Sequence, residues 1–289
     1  MTFKYILISL ISLCTILSIS FILVHQVAVV NDLQIPLIKV YFIVLPIVFL
    51  AGLIDSIAGG GGLISLPAYL IVGLPPHTAL ANNKMSSTFG TLITTLRYFQ
   101  HGMIDVKISV ISSVFAFVGS FLGTKIVLIL EPFFLNYILI FLLPLMTIFT
   151  LINKNLGQVD TSKEIDLKYK FVLSIIAGLV IGFYDGFFGP GTGTFLIMIF
   201  VLMLKYDFVT ANGNTKVINL ATNIASLTAF IIGDKVLFII GIPATLSGIA
   251  GNLIGSRYVI KKGNKIIRPI FLIVFVVLFL KILYDVAKL

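Results

Sequence analysis

Four charged side chains stand within the most apolar parts of this chain. Asp55 and Asp185 each follow a long run of mainly apolar residues, and Lys84 and Lys216 each open a segment with regularly spaced polar residues. A charge inside a membrane segment is costly and usually faces a partner or a water-filled path. Two interpretations stay open. The lysines hold an anion while an aspartate exchanges protons, or the four residues form structural ion pairs that tie a broken helix to the next one.

A glycine cluster follows each aspartate, at residues 59–62 and at residues 189–193. Such runs interrupt a helix, and within a membrane a break is tolerated only where protein or a wet cavity surrounds it. A helix that begins after the break points its first amide groups and its positive dipole end into that cavity, which predicts an anion site. Close helix packing is the alternative. A nucleotide-binding loop is disfavoured because its Lys-Ser/Thr ending is missing.

The composition is that of a polytopic membrane protein. The 289 residues are 59% hydrophobic and 11% charged, whereas soluble domains carry about 25% charged residues. The formal charge is +9, but most basic residues lie near the ends of apolar segments, which indicates membrane topology and not nucleic-acid binding. We expect an all-helical, multi-pass protein of the cell membrane. The sequence shows no nucleophile with a base and no metal-ligand cluster, so no enzymatic activity, cofactor or metal is expected.

Apolar segments alternate with short polar connections. They fall near 5–30, 38–58, 62–74, 79–100, 108–130, 133–152, 170–188, 192–204, 213–232, 236–258 and 267–286. Most can cross a hydrocarbon core, which needs about 20 helical residues, but 62–74 and 192–204 are too short. The first segment follows Lys4 as in a signal peptide. Its apolar part is long and no A-x-A site follows, so we predict a retained helix within 1–30.

The pattern occurs twice, which predicts two homologous repeats at 38–152 and 170–286, separated by a polar cytoplasmic linker at 153–169. Four motifs recur at offsets of 130 or 132 residues: Gly52-Leu-Ile-Asp55 with Gly182-Phe-Tyr-Asp185, Gly59-Gly-Gly61 with Gly189-Pro-Gly191, Asn82-Asn-Lys84 with Asn214-Thr-Lys216, and Gly119-xxx-Gly123 with Gly251-xxx-Gly255. The last pair predicts close helix packing. Matching interrupted segments in two halves are typical of a transporter's binding site.

The distribution of Lys and Arg predicts the orientation of the repeats. If each repeat crosses five times, counting its short segment, 13 basic residues share the side of the N-terminus and 5 lie opposite. If the short segments are re-entrant, the split is 8 and 10. The positive-inside rule favours five crossings with a cytoplasmic N-terminus. An odd number inverts the second repeat relative to the first, and parallel repeats are the alternative.

A polar stripe follows each short segment. Its members recur at helical spacing: Asn83, Lys84, Ser87, Thr91, Thr94 and Tyr98 in the first repeat, and Thr215, Asn219, Thr222, Asn223 and Ser226 in the second. This spacing puts each set on one helix face. Interhelical hydrogen bonds explain part of each stripe. Lysine and asparagine next to a glycine break favour a substrate pathway.

These motifs resemble the TauE/SafE family, also called toluenesulfonate uptake permeases. The resemblance is carried by "GLIDSIAGGGGLISLPAYLIVGLPPHTAL", "NKMSSTFGT" and "YFQHGMID" in the first repeat, and by "GFYDGFFGPGTGTFL" and "TKVINLATNIASL" in the second. It covers roughly residues 38–286, and the nearest subgroup is the "probable membrane transporter" proteins. The resemblance implies a plasma-membrane transporter of sulfite, sulfoacetate or another sulfur-containing anion.

The sequence therefore predicts a secondary transporter of a small anion, with a sulfur oxyanion such as sulfite or an organosulfonate favoured. An uncoupled anion channel and a non-transporting assembly subunit are the alternatives. The expected partners are the anion and the lipid bilayer, and a homo-oligomer is left open. The candidate proton-coupling residues are Asp55 and Asp185. The candidate substrate-binding residues are Gly59, Gly60, Gly61, Gly62, Asn82, Asn83, Lys84, Gly189, Gly191, Thr192, Gly193, Asn214, Thr215, Lys216, Asn219 and Asn223.

Overall fold

The structure is a computed structural model that describes residues 36–129, 157, 159–267, 269–270 and 273. The predicted segments at 5–30 and 133–152 lie outside the described residues, as do most of 267–286 and the first part of the linker. All regular elements in the described part are helical.

Eight α-helices and one 3-10 turn make up the described part. They are α1 (Leu37–Ala58), α2 (Gly62–Ile71), α3 (Pro76–Gln100), α4 (Val106–Val127), the turn Ser162–Glu164, α5 (Leu167–Phe187), α6 (Thr192–Leu202), α7 (Phe208–Ile232) and α8 (Phe238–Lys262). The order of one long, one short and two long helices occurs twice. Because α3 and α7 begin earlier than predicted, Lys84 and Lys216 lie about two turns inside their helices instead of at the start.

Five of the described helices, α1, α4, α5, α7 and α8, are long and apolar enough to cross a membrane. Helix α3 matches α7 in length, at 25 residues, but its polar side chains keep it out of that group. Helices α2 and α6 have 10 and 11 residues, so each spans about 15 Å, half of the hydrocarbon core. The chain is a multi-pass membrane protein.

Each set of four helices packs its first helix against the last helix of the other set. Helix α1 lies along α8, and α5 lies along α4. A Cβ added at Gly251 of α8 would lie 2.9 Å from Leu53 N, and one at Gly123 of α4 would lie 2.9 Å from Phe187 N. The small residues predicted to allow close packing therefore stand at these two contacts, where any larger side chain would push the helices apart.

The contacts also give the helix directions. Helices α1 and α8 are parallel, because Ser247 donates a hydrogen bond to Leu45 O while Gly251 and Gly255 pack near Leu53. Helices α3 and α7 are antiparallel. Lys84, near the start of α3, bonds to Asn223 near the end of α7. At the opposite end of the bundle, Tyr98 of α3 and Asn212 of α7 donate to the same carbonyl oxygen of Ser56.

The short helix α2 runs back from the glycine break. The bond from Tyr98 to Ser56 O shows that α1 and α3 run toward the same end of the bundle. Helix α3 therefore starts at the other end. Since α2 ends at Ile71, just before α3 begins at Pro76, it must lead from the break to that end. Its N-terminus thus lies inside the protein.

Basic side chains concentrate at one end of the bundle. Helix directions assign the following ten to the end that holds the C-termini of α3 and α8: Arg97, Lys107, Lys163, Lys168, Lys170, Lys205, Arg257, Lys261, Lys262 and Lys265. Lys39, Lys125 and Lys235 lie at the opposite end, and Lys84 and Lys216 are buried between the ends.

Candidate functional site

The two glycine breaks touch in the middle of the bundle. Gly59 and Gly60 have φ of 72° and 81°, and Gly189 and Gly191 have φ of 92° and 88°. Glycine adopts this left-handed region without the penalty that a Cβ brings. A Cβ on Gly59 would also lie 2.5 Å from the carbonyl carbon of Gly193. The break therefore needs glycine both for its conformation and for the close approach of the other break.

The last carbonyl groups of α1 accept hydrogen bonds from side chains of other helices. A helix leaves its final carbonyl oxygens without internal partners, and inside a membrane they must be satisfied by protein or water. The donors are Lys216 to Asp55 O, Tyr98 (2.5 Å) and Asn212 (3.0 Å) to Ser56 O, Asn212 to Ile57 O (2.9 Å), and Thr194 to Ala58 O (3.4 Å). Three of these donors come from the second set of helices, so the first break depends on the second half of the chain.

Two buried ion pairs join the two sets of helices. Lys84 Nζ of α3 lies 2.8 Å from Asp185 Oδ2 of α5, and Lys216 Nζ of α7 lies 2.9 Å from Asp55 Oδ2 of α1. The lysine side chains are 3% and 0% exposed. The ion pairs considered from the sequence would have tied each break to the next helix of its own half. They instead tie each break to the other half, because the two halves are interleaved.

Further hydrogen bonds fix these groups. Asp55 Oδ1 accepts a hydrogen bond from Gly61 N at 3.2 Å. Lys84 Nζ donates to Asn223 Oδ1 at 3.3 Å. Each ion pair thus has one additional polar partner, which a buried pair needs if its desolvation is to be offset.

A small polar cavity lies between the two breaks, and we call it the central cavity. It offers about 30 Å³ to water-sized occupants, which corresponds to about two or three waters. It is lined by Asp55, Gly60, Gly62, Asn83, Lys84, Ser87, Thr91, Asp185, Gly189, Gly191, Thr192, Gly193, Asn219 and Asn223. Ten of the sixteen candidate substrate-binding residues and both aspartates therefore meet around one space.

The other six candidates do not line the central cavity; they are Gly59, Gly61, Asn82, Asn214, Thr215 and Lys216. Asn82 Nδ2 donates to Thr78 O of its own helix at 2.9 Å. Asn214 Oδ1 accepts from Asp105 N at 2.7 Å and so holds the loop that follows α3. Lys216 is turned toward Asp55. The contacts of these three residues are therefore with neighbouring parts of the protein and not with the space of the cavity.

Sequence reasoning left some site residues out of its candidate set. Ser87 and Thr91 line the central cavity, and their signal was the polar stripe of α3, which also contains residues used only for packing. Asn212 and Thr194 cap the end of α1. Nothing in their local sequence marks this task, because the carbonyl groups that they bind are about 140 to 160 residues away.

An all-helical bundle in which two interrupted helices enclose a polar cavity with buried charges has the features of a membrane transporter. The chain belongs to the family described as "Sulfite exporter TauE/SafE", which it matches over residues 44–282. The predicted resemblance is thereby confirmed. No solved structure matches the chain.

Several relatives are described as transporters. The chain is 37% identical over 237 residues to "Probable membrane transporter protein ORF9" of Sinorhizobium sp, covering 82% of this chain and 90% of that protein. It is 36% identical over 239 residues to "Probable membrane transporter protein YfcA" of Escherichia coli (strain K12), covering 83% and 88%. It is 33% identical over 254 residues to a "Probable membrane transporter protein" of Haemophilus influenzae, covering 88% and 97%. The chain is therefore a membrane transporter of this family and not an enzyme.

Proposed function

We propose that the protein is a secondary transporter that binds a small sulfur oxyanion, such as sulfite, in the central cavity. One observation carries the proposal: two glycine breaks from different parts of the chain meet around a cavity that also holds a buried lysine. The family description supports sulfite as the first anion to test. The cavity volume of about 30 Å³ favours a small inorganic anion over an organosulfonate in this conformation.

The breaks supply amide donors for such an anion. Helices α2 and α6 begin at Gly62 and Thr192, and both residues line the central cavity. Some amides at the breaks already bond to protein oxygens, as Gly61 N does to Asp55 Oδ1 and Thr192 N to Gly189 O. The remaining first-turn amides and the helix dipole make these ends favourable for negative charge. Lys84 adds a positive charge on the same wall, next to Asn83 and Asn223.

Charge balance favours coupling to protons. Lys84 and Lys216 are both paired with carboxylates, so the four charges around the breaks cancel. An anion that enters this site brings uncompensated charge into a poorly solvated place, which is costly. Proton uptake by Asp55 or Asp185 would remove one negative charge and restore the balance. We therefore propose that one of these aspartates binds a proton together with the anion.

The helix directions support inverted repeats. The equivalent helices α3 and α7 run in opposite directions, and each half has the same order of long and short helices. The end with ten of the described basic residues, against three at the other end, is the cytoplasmic end by the positive-inside rule. In this arrangement α1 enters from outside the cell and α5 from the cytoplasm, so the two breaks approach the central cavity from opposite sides.

Counterflow of radiolabelled sulfite in proteoliposomes tests the proposal. Unlabelled sulfite inside the vesicles should drive uptake of labelled sulfite, and excess sulfite outside should compete. Sulfoacetate, toluenesulfonate, sulfate and chloride serve as competitors that report the substrate class. Lys84→Ala should abolish counterflow, whereas Lys235→Ala, a lysine at the bundle's surface, should not. Unchanged counterflow in Lys84→Ala would contradict the anion site, and large steady currents at fixed voltage would favour the channel alternative.

A further inference from the structure

A second small cavity, with both polar and apolar lining residues, lies next to Asp55. This side chamber is lined by Asp55, Ser65, Ser86, Ser87, Gly248 and Asn252 among others, and offers about 20 Å³ to water-sized occupants, enough for one or two waters. Asp55 and Ser87 line both the side chamber and the central cavity. Asp55 therefore borders two small cavities.

Two of the chamber's three serines have apolar counterparts in the second half. At the repeat offsets, Ser65 corresponds to Phe195 and Ser86 corresponds to Ile218. Phe195 and Ile218 are fully buried. The Phe195 ring packs edge-on against Tyr184, with 5.6 Å between ring centroids. The residue before Asp185 thus packs against an aromatic ring at the position where the first half carries the hydroxyl of Ser65.

The exposure of the two acids follows this difference. The Asp55 side chain is 19% exposed, and that of Asp185 is 5% exposed. Water that reaches the side chamber can therefore contact Asp55 without passing through the anion site. A carboxylate that exchanges protons inside a membrane needs such a wet route, since it cannot exchange with hydrocarbon.

We propose that the side chamber is a proton pathway, in which water delivers protons to Asp55 and removes them. Asp55, and not Asp185, is then the proton-coupling residue. This inference rests on the transport function proposed above. The charged and titratable groups that face Asp55 are Lys216 from α7, Lys84 and Tyr98 from α3, and Asp185 across the central cavity. Helices α2 and α8 contribute the uncharged Ser65 and Asn252.

This proton pathway couples proton binding at Asp55 to anion binding in the central cavity. A hydronium ion in the side chamber gives its proton to Asp55 and becomes water. The neutral carboxyl no longer compensates the charge of Lys216, so the site gains one net positive charge. This change favours an anion in the central cavity, and by linkage a bound anion favours the proton. When the anion leaves, Asp55 returns its proton to water, so proton and anion move in the same direction.

Filling the chamber tests the inference without changing a charge. Ser65→Phe gives the first half the side chain that the second half already carries, and Ser65→Ala is the matched control that removes the hydroxyl but leaves the space. Two measurements are made on reconstituted protein: labelled sulfite counterflow, which needs no net proton movement, and sulfite-driven internal acidification reported by a trapped pH dye. Ser65→Phe should lower the ratio of acidification to counterflow by about tenfold, within the range typical of coupling between two sites. Ser65→Ala, which loses the hydrogen bond from Ser65 to Asn83, should keep that ratio near the wild-type value.

The two acids provide a second, independent comparison. Asp55→Asn should lower the ratio of acidification to counterflow, with both activities measured on the same protein, whereas Asp185→Asn should keep acidification in proportion to its counterflow. The opposite result, or full acidification in Ser65→Phe, would overturn the inference. Wild-type counterflow without proton movement, or accumulation driven by sodium, would overturn it and leave the proposed anion transport standing. Absence of counterflow in the wild type would overturn both.

Discussion

The two buried ion pairs occupy equivalent positions in the two halves, but their surroundings differ. Lys216 is fully buried and donates to both the carboxylate and the main-chain carbonyl of Asp55. Lys84 lines the central cavity and divides its donors between Asp185 and Asn223. The first aspartate lines a chamber with three serines, and the residue before the second aspartate packs against Phe195. These surroundings fit the proposed division of tasks, with Lys84 toward the anion and Asp55 toward the proton.

The difference between the two ion pairs should be largest when their lysines are replaced. Removing one partner of a buried ion pair usually costs about 3–5 kcal/mol, because the remaining charge stays buried without compensation. Lys84→Met should approach that range, since Asp185 is only 5% exposed. Lys216→Met should cost less, because Asp55 is 19% exposed and keeps the Gly61 amide. The free energy of unfolding in detergent measures the difference.

Double variants separate stability from transport for these pairs. Lys84→Met combined with Asp185→Leu removes both charges and should recover most of the stability that the single variant loses. Sulfite counterflow should stay absent, since the cation that faces the anion is gone. Normal counterflow in the double variant would mean that the Lys84 pair is only structural.

Replacing a glycine by alanine should also lower stability by different amounts in the two breaks. Gly59 has φ of 72° and ψ of −178°, a conformation essentially limited to glycine that costs other residues about 1–3 kcal/mol. Gly59→Ala adds a clash against the Gly193 backbone at 2.5 Å. Overpacking of this kind adds about 1–3 kcal/mol, and counterflow should be lost. At Gly189 a Cβ would meet Asp185 O and the flexible end of Lys84 at 3.0 Å, so Gly189→Ala should be milder.

Gly102→Ala is the matched control for both glycine variants. Its φ is +66° and a Cβ would meet nothing within 4 Å, so it should show the cost of the backbone conformation alone. Equal losses of stability in Gly59→Ala and Gly102→Ala would contradict the close contact between the breaks.

Much of this architecture could be predicted from the sequence, but the partners of the four buried charges could not. Apolar length and glycine clusters predicted the broken helices and put Asp55 and Lys84 near a cavity, because those signals are local. The partner of each charge depends on how the halves interleave, which no local pattern records. Ser65 and Phe195 differ plainly in the sequence, yet only the packing against Asp55 and Tyr184 shows what the difference does.

Asn82 and Asn214 are a further equivalent pair whose contacts differ. The Asn214 side chain accepts the amide of Asp105 and connects α7 to the loop after α3, whereas Asn82 bonds within its own helix. Asn214→Ala should lower the free energy of unfolding by about 1–2 kcal/mol by leaving that amide without its partner, and Asn82→Ala by less. Since neither lines the central cavity, the sulfite concentration for half-maximal counterflow should stay unchanged. A changed value in either variant would show that the asparagine contacts the anion during transport.

The last comparison concerns the loop between α6 and α7. Tyr206 donates a hydrogen bond to Asp105 Oδ2 at 2.6 Å, and the corresponding residue of the first half, 132 positions earlier, is Leu74. Burial and the bond to Asp105 raise the pKa of Tyr206. The folded state therefore keeps the phenol proton at a pH where the unfolded chain, with a tyrosine pKa of about 10, begins to lose it.

The contribution of Tyr206 to stability is thus fully present below about pH 10 and declines as the pH rises above that value. Tyr206→Phe should cost about 1–2 kcal/mol at neutral pH through the lost hydrogen bond to a charged group. It should also flatten the loss of stability at alkaline pH, because the variant has no phenol to ionise there. Melting temperatures of both proteins across neutral and alkaline pH give the difference curve. Parallel curves would mean that the phenol of Tyr206 ionises as readily in the folded protein as in the unfolded chain.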